Sequence, residues 1–178
     1  LTRIQPVGAG GLGSVTNANI VANAGILLSK LQASTITQFQ PANPTSTNSA
    51  SLVMLGVGGT VTVTSTKTGK LLIIVSGRCK SDTAGDGVKI LSRYGTGTAP
   101  INGAALTGTA FVTPAASSVV NVQNENSGTV WLPFTIVGFL DNSANLNVAT
   151  WFDLAYAVVT GGNALVTELQ WVFVELSN

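Results

Sequence analysis

The chain is 178 residues long and only 8% of it is charged, where a typical soluble domain carries about 25%. Eight Lys and Arg oppose seven Asp and Glu, so the basic stripe that phosphate binding needs is missing and nucleic acid is not an expected partner. With no His and a single Cys, the sequence excludes Ser-His-Asp and Cys-His catalysis, imidazole or thiolate metal sites, and an internal disulfide.

Residues 1–16 are rich in glycine. Gly8, Gly10 and Gly13 satisfy G-x-G-x-x-G, but a dinucleotide site needs a preceding strand, a following helix and an acid ~20 residues on. Only seven residues precede Gly8, and the first acid is Asp82. The segment reads instead as an extended, closely packing arm. It lacks the apolar core of a signal peptide. Over 17–31, Ile20, Ala24, Leu27, Leu28 and Leu31 fall at helical spacing and draw one apolar stripe, with Thr16 or Asn17 as a cap. A helix this short is marginal alone in water and needs something to cover its stripe. Ile20, Leu27, Leu28 and Leu31 are therefore the candidate anchoring residues of an arm, 1–31, that contains a short helix or extended segment. Residues 32–50, uncharged and holding Pro41 and Pro44, read as a polar linker.

From 51 to 178 the pattern is β. Thr60–Thr64 alternates with β-branched residues. Strands are expected over 71–79, 88–94, 109–113, 117–123, 130–140, 149–160 and 165–176. The stretches 81–87 and 95–108 are expected as loops. Pro133 implies an edge strand or a bulge. Gly161-Gly162-Asn163 reads as a hairpin turn joining the last two strands. The expected fold is all-β, a jelly-roll-like antiparallel sandwich. The longest aliphatic run, Leu71–Val75, is far short of the ~20 residues of a membrane helix, so no membrane partner is expected.

Several strands are apolar on both faces. Val130, Leu132, Phe134 and Ile136 alternate with Trp131, Val137 and Phe139. Val172, Val174 and Leu176 alternate with Leu169, Trp171 and Phe173. An antiparallel sandwich strand needs only one apolar face, and no helices are available to cover the other. A second subunit is the expected cover, with Trp131, Phe139, Trp171 and Phe173 at the interface. The low charge agrees, since obligate interfaces are depleted in it.

The remaining chemistry is sparse. Asp82-Thr83-Ala84-Gly85-Asp86-Gly87 departs from a calcium loop, with Ala84 and Arg93 where acids belong, so no metal or other cofactor is expected. Six charges between Arg78 and Arg93 read either as a contact patch or as paired charges at a strand rim. Asp153, among Trp151, Phe152 and Leu154, reads as a buried carboxylate in an ion pair with Arg93, or with Arg78, rather than as a catalytic acid. Asn43-Pro44-Thr45 has proline in the position that forbids glycosylation.

Two stretches carry a resemblance. Gly13-Ser14-Val15-Thr16-Asn17-Ala18-Asn19-Ile20, continuing through Ala24-Gly25-Ile26-Leu27-Leu28-Ser29-Lys30-Leu31, resembles an element frequent in virion proteins of tailed bacteriophages, with Asn19 where Lys is usual. Residues 85–100, with Asn102-Gly103-Ala104-Ala105 and Trp151-Phe152-Asp153-Leu154, resemble a β domain of phage structural proteins. The opening, Leu1–Pro6, is similar to the start of such proteins. Together these cover about a third of the chain, by residue span. The resemblance implies a homotrimer on the virion surface, assembled in the host cytoplasm, and brings no catalytic residues. The expectation is a non-enzymatic capsid decoration protein or short head fibre, attached through its arm to other virion proteins. The alternative is a short tail fibre that contacts host surface polysaccharide, for example through the 95–108 loop. A depolymerase would need paired carboxylates, and only Asp82 and Asp86 are close in sequence.

Overall fold

The computed structural model describes residues 34–112, 119–123 and 128–176, the strand at 119–123 as backbone only. Leu1–Gln32 and Ala33–Asn178 form separate units. The arm, with Ile20, Leu27, Leu28 and Leu31, lies outside the described residues.

The strands are β1 (Thr35–Phe39), β2 (Val53–Met54), β3 (Thr62–Thr64), β4 (Lys70–Ser81), β5 (Gly87–Thr96), β6 (Val119–Gln123), β7 (Leu132–Asp141), β8 (Ala149–Val158) and β9 (Ala164–Glu175). Among the described residues the only helical element is a 3-10 turn at Ser143–Asn145. One sheet has the order β1-β9-β4-β7 and the other β2-β8-β5-β6, with β3 also on β8; every pairing is antiparallel. If β2 and β3 are taken as one interrupted strand, the sheets run 1-8-3-6 and 2-7-4-5. That is the strand order of a jelly roll, as the sequence predicts.

The sandwich interior is filled by alternate residues of both sheets. Leu71, Ile73 and Val75 of β4, Phe134 and Ile136 of β7, and Trp171 and Phe173 of β9 meet Val88 and Ile90 of β5 and Phe152, Leu154, Tyr156 and Val158 of β8. Phe152 and Phe173 join the sheets at the centre, with ring centroids 4.7 Å apart.

Three expectations need correction. Residues 35–39, placed in the linker, form β1 and pair along β9 from Thr35↔Glu175 to Phe39↔Trp171. Thr-Ile-Thr-Gln-Phe is a half-buried strand pattern, and the nearby prolines lie beyond its end. The Gly161–Asn163 turn does not close a hairpin. β8 and β9 lie in different sheets, so the turn crosses between layers. Residues 109–113 form no strand: Thr109 makes a single reciprocal bridge to Tyr94, and 113 lies outside the described residues. Pro133 fits its position, because β7 is the last strand of its sheet among the described residues, the edge placement that its sequence implies.

Candidate functional site

Strand period 2 sends the inward set of each strand to the core and leaves a second set on the outside. On the β1-β9-β4-β7 sheet that outer set is itself apolar. Its register aligns Ile36, Val174, Leu72 and Phe139 in one row across all four strands. The next row is Gln38, Val172, Ile74 and Val137. A third, polar but uncharged, holds Gln170, Ser76 and Thr135. Ile36 is 64% exposed, Val137 55% and Phe139 56%, while Leu72, Ile74, Val172 and Val174 are half-buried by their neighbours.

Charges stand only beyond these rows. At one end Lys70 is opposite Asp141, and its charge helps to hold that carboxyl below the usual range, after hydrogen bonds from Ser143. At the other end Arg78 Nε lies 3.2 Å from Glu168 Oε2, and Lys80 Nζ sits 5.0 Å from the centre of the Trp131 ring. The face thus has an apolar centre, a neutral polar margin and charges only at its ends, where Arg78 pairs with Glu168, Lys70 stands opposite Asp141 and Lys80 lies over Trp131. A β-bulge sits at this second end: Gly77 stands opposite Glu168 and Leu169, and Glu168 adopts φ 53°.

The outer face of the other sheet is different. Met54, Leu91, Trp151 and Ala155 form a second apolar cluster there, and the 97–110 loop packs Ala99, Ala104 and Ala110 over it. The loop is pinned by Met54 N–H to Ala104 O (2.9 Å), Gly103 N–H to Met54 O (2.9 Å) and the Tyr94–Thr109 bridge. Trp151 donates from Nε1 to Thr96 O at 3.3 Å. Gly95 and Gly108 lie so close to this ring that a Cβ on either would come within 2.5 and 2.4 Å of it.

Of the four residues expected at a subunit interface, the structure brings only Phe139 to the exposed face. Trp171 and Phe173 are 0% and 1% exposed and stacked on each other in the sandwich core, which corrects their assignment. They belong to the inward set of β9. Trp131 is half-buried under Lys80. The sequence reading missed Ile36, Leu72 and Ile74 as surface groups. The run Leu71–Val75 has no polar residue to mark its outer side, and Ile36 was placed in the linker.

The Asp153–Arg93 ion pair is also corrected. The two residues are cross-strand neighbours, but their charges are not paired. Asp153 accepts hydrogen bonds from the main-chain N–H groups of Gly56 (3.0 Å), Val57 (3.2 Å) and Leu154 (2.8 Å). Arg93 Nη1 donates to Gly108 O at 3.1 Å. Burial pushes the Asp153 carboxyl up to about 6, against the opposing pull of those N–H groups.

The other described acids are likewise engaged. Asp86 accepts from Thr160 N–H and O–H (2.8 and 2.9 Å), Gly161 N–H (3.2 Å) and Ser81 O–H (3.1 Å). Asp82 accepts from Asn163 N–H at 2.7 Å and Nδ2 at 2.6 Å. Both tie the β4–β5 loop to the β8–β9 crossing. Asp141 caps the turn at Ser143 N–H (3.0 Å), and Glu175 collects N–H groups from Thr66 to Gly69. The charges between Arg78 and Arg93 do not form one patch, since they are divided between β4 in one sheet, β5 in the other and the loop that joins them.

No protein-family model and no curated protein matches the chain. Among solved structures it is similar to infectious bursal disease virus, Gx strain (8% identity, TM-score 0.48, covering 81% of this chain and 32% of that one). It is similar to the T13 particle of the same virus (6% identity, TM-score 0.49, covering 80% and 31%). Bacillus endospore appendages that form disulfide-linked pili also match (12% identity, TM-score 0.28, covering 82% and 87%). The chain spans about a third of the length of the viral chains. Likeness this distant has no bearing on what this chain does.

Proposed function

We propose that this chain is a non-enzymatic structural protein of a tailed-phage virion: a homotrimeric capsid decoration protein or short head fibre that attaches to other virion proteins through its N-terminal arm. The observation that supports this most directly is the β1-β9-β4-β7 outer face, whose two central rows hold seven apolar side chains and one Gln with no charge. A jelly roll that leaves such a face bare is built to be covered by protein. The resemblance of residues 13–31 to a phage virion element supplies the kind of assembly. Every described acid accepts main-chain N–H groups or side-chain hydrogen bonds or pairs with Arg78, structural engagements that support the non-enzymatic reading.

The second reading is a short tail fibre that contacts host polysaccharide. Ile101, 76% exposed on the 97–110 loop, favours a contact at that loop. Labelling the chain on intact particles and counting its copies separates the two. Label spread over the capsid at high copy number is expected. Label confined to the tail gives the second reading, and particles without the chain reject both.

A further inference from the structure

We propose that the outer face of the β1-β9-β4-β7 sheet is where a second copy of this chain binds, with Ile36, Leu72, Ile74, Val137, Phe139 and Val174 at the centre of the contact. This deepens the assembly reading above by naming its surface, and it rests on that reading for the number of copies.

Three observations favour another copy over a different class of partner. The first is charge. Lys70 stands opposite Asp141, Arg78 pairs with Glu168 at 3.2 Å, and Lys80 is held over Trp131. The face therefore carries one net positive charge, at its end, too little to recruit nucleic acid or an acidic peptide, and its uncharged rows ask for an apolar, uncharged complement. This chain, at 8% charged, offers such surfaces.

The second is area. Four strands ~4.8 Å apart and three uncharged rows give a central patch of roughly 400 Å². The two apolar rows make up roughly 260 Å² of it and the polar row the rest. Extended over the strands as they stand, 5 residues of β1, 12 of β9, 12 of β4 and 10 of β7, so as to include the charges at both ends, the face reaches roughly 640 Å². One partner contributes about 600–1,000 Å² to a specific interface, so the whole face, with its polar ends as rim, reaches the lower end of that range.

The third is the contrast between the two sheets. The 97–110 loop covers the apolar cluster outside the β8-β5 sheet, so the chain brings its own lid to one face. Among the described residues the other face has none, and Val137 and Phe139 remain more than half exposed.

The test uses the full-length protein at micromolar concentration, in sedimentation equilibrium. The wild type is expected to be an oligomer, and the double variant V137K/F139K a monomer with unchanged near-ultraviolet circular dichroism, because both side chains point away from the core. The control I101K, on the opposite side of the sandwich, is expected to stay oligomeric. A V137C variant adds a second readout. Its thiol is expected to resist maleimide in the oligomer and to react at least ten-fold faster once V137C is combined with F139K. Buried Cys79, its thiol pushed up to about 12 by desolvation, does not compete. An oligomer that survives V137K/F139K overturns the face assignment and leaves the assembly reading standing. A wild-type monomer overturns both. A monomer in which V137C is still protected puts the chain's own N-terminal residues on the face and overturns this proposal.

Discussion

Asp153 shows how a residue that looks catalytic in sequence can be structural. Its side chain is fully buried, and it holds Gly56 and Val57 of the β2–β3 connection against β8. Desolvation raises its carboxyl from 3.8 to about 6 despite the main-chain donors of Leu154, Val57, Gly56 and Gly58. The folded state therefore binds this proton more tightly than the unfolded chain does. Its contribution to stability is complete below about pH 3.8 and is lost as pH rises through about 6, a loss of roughly 3 kcal/mol at 1.36 kcal/mol per unit. The depressed carboxyls of Asp82, Asp86, Asp141 and Glu175 act in the opposite sense, and their contribution is lost only as pH falls below the ordinary carboxylate range. Asp153→Asn is expected to remove the fall in stability between pH 4 and pH 6.5. The wild-type-minus-variant difference in urea unfolding across that range measures it, and a flat difference would show that Asp153 does not titrate there.

At the scale of the element, a strand here does more than pair. β9 ends in Glu175, which shares the inward parity of Trp171 and Phe173, is 5% exposed, and would be costly there without partners. It accepts N–H groups from Lys67 (2.9 Å), Thr68 (3.0 Å) and Gly69 (3.0 Å) at Oε1 and from Thr66 (3.3 Å) at Oε2. Burial tends to raise its carboxyl, and these donors outweigh it to leave the group below its ordinary value. The last strand thereby fixes the turn that launches β4, its neighbour in the sheet. Glu175→Ala strands those donors, and the expected cost is about 1–3 kcal/mol in thermal unfolding at pH 7. Glu175→Gln keeps an acceptor and is expected to cost less. Sequence alternation located β4, β5, β7, β8 and β9 within a few residues, because long β-branched and aromatic runs leave little choice. It missed β1 and β2, which are short and take their order from partners on β9 and β8 rather than from their own composition. It also took the Gly161–Asn163 turn for a hairpin, since a tight turn looks the same whether the next strand pairs with the last or crosses to the facing sheet.

For the whole molecule, the division of the chain into two units, Leu1–Gln32 and Ala33–Asn178, gives the proposed attachment a simple test. Leu28→Asp would place an unpaired charge on the proposed arm stripe, and the jelly roll is expected to keep its fold. Fewer copies are expected on purified particles, while circular dichroism of the free protein stays unchanged. Undiminished occupancy would show that the stripe is not the anchor. Together with V137K/F139K, this variant separates attachment from self-association.

Composition and period determined that the chain is an antiparallel β-sandwich, poor in charge, with more apolar strand surface than one core can absorb. Those features are local, written in residue type and in spacing of two. Which of the two apolar sets on each strand faces inward was decided by tertiary structure alone. When both sets are greasy, parity carries no label, and only the pairing of β9 with β1 and β4 and the packing of Phe173 on Phe152 send Trp171 inside and leave Val137 and Phe139 outside.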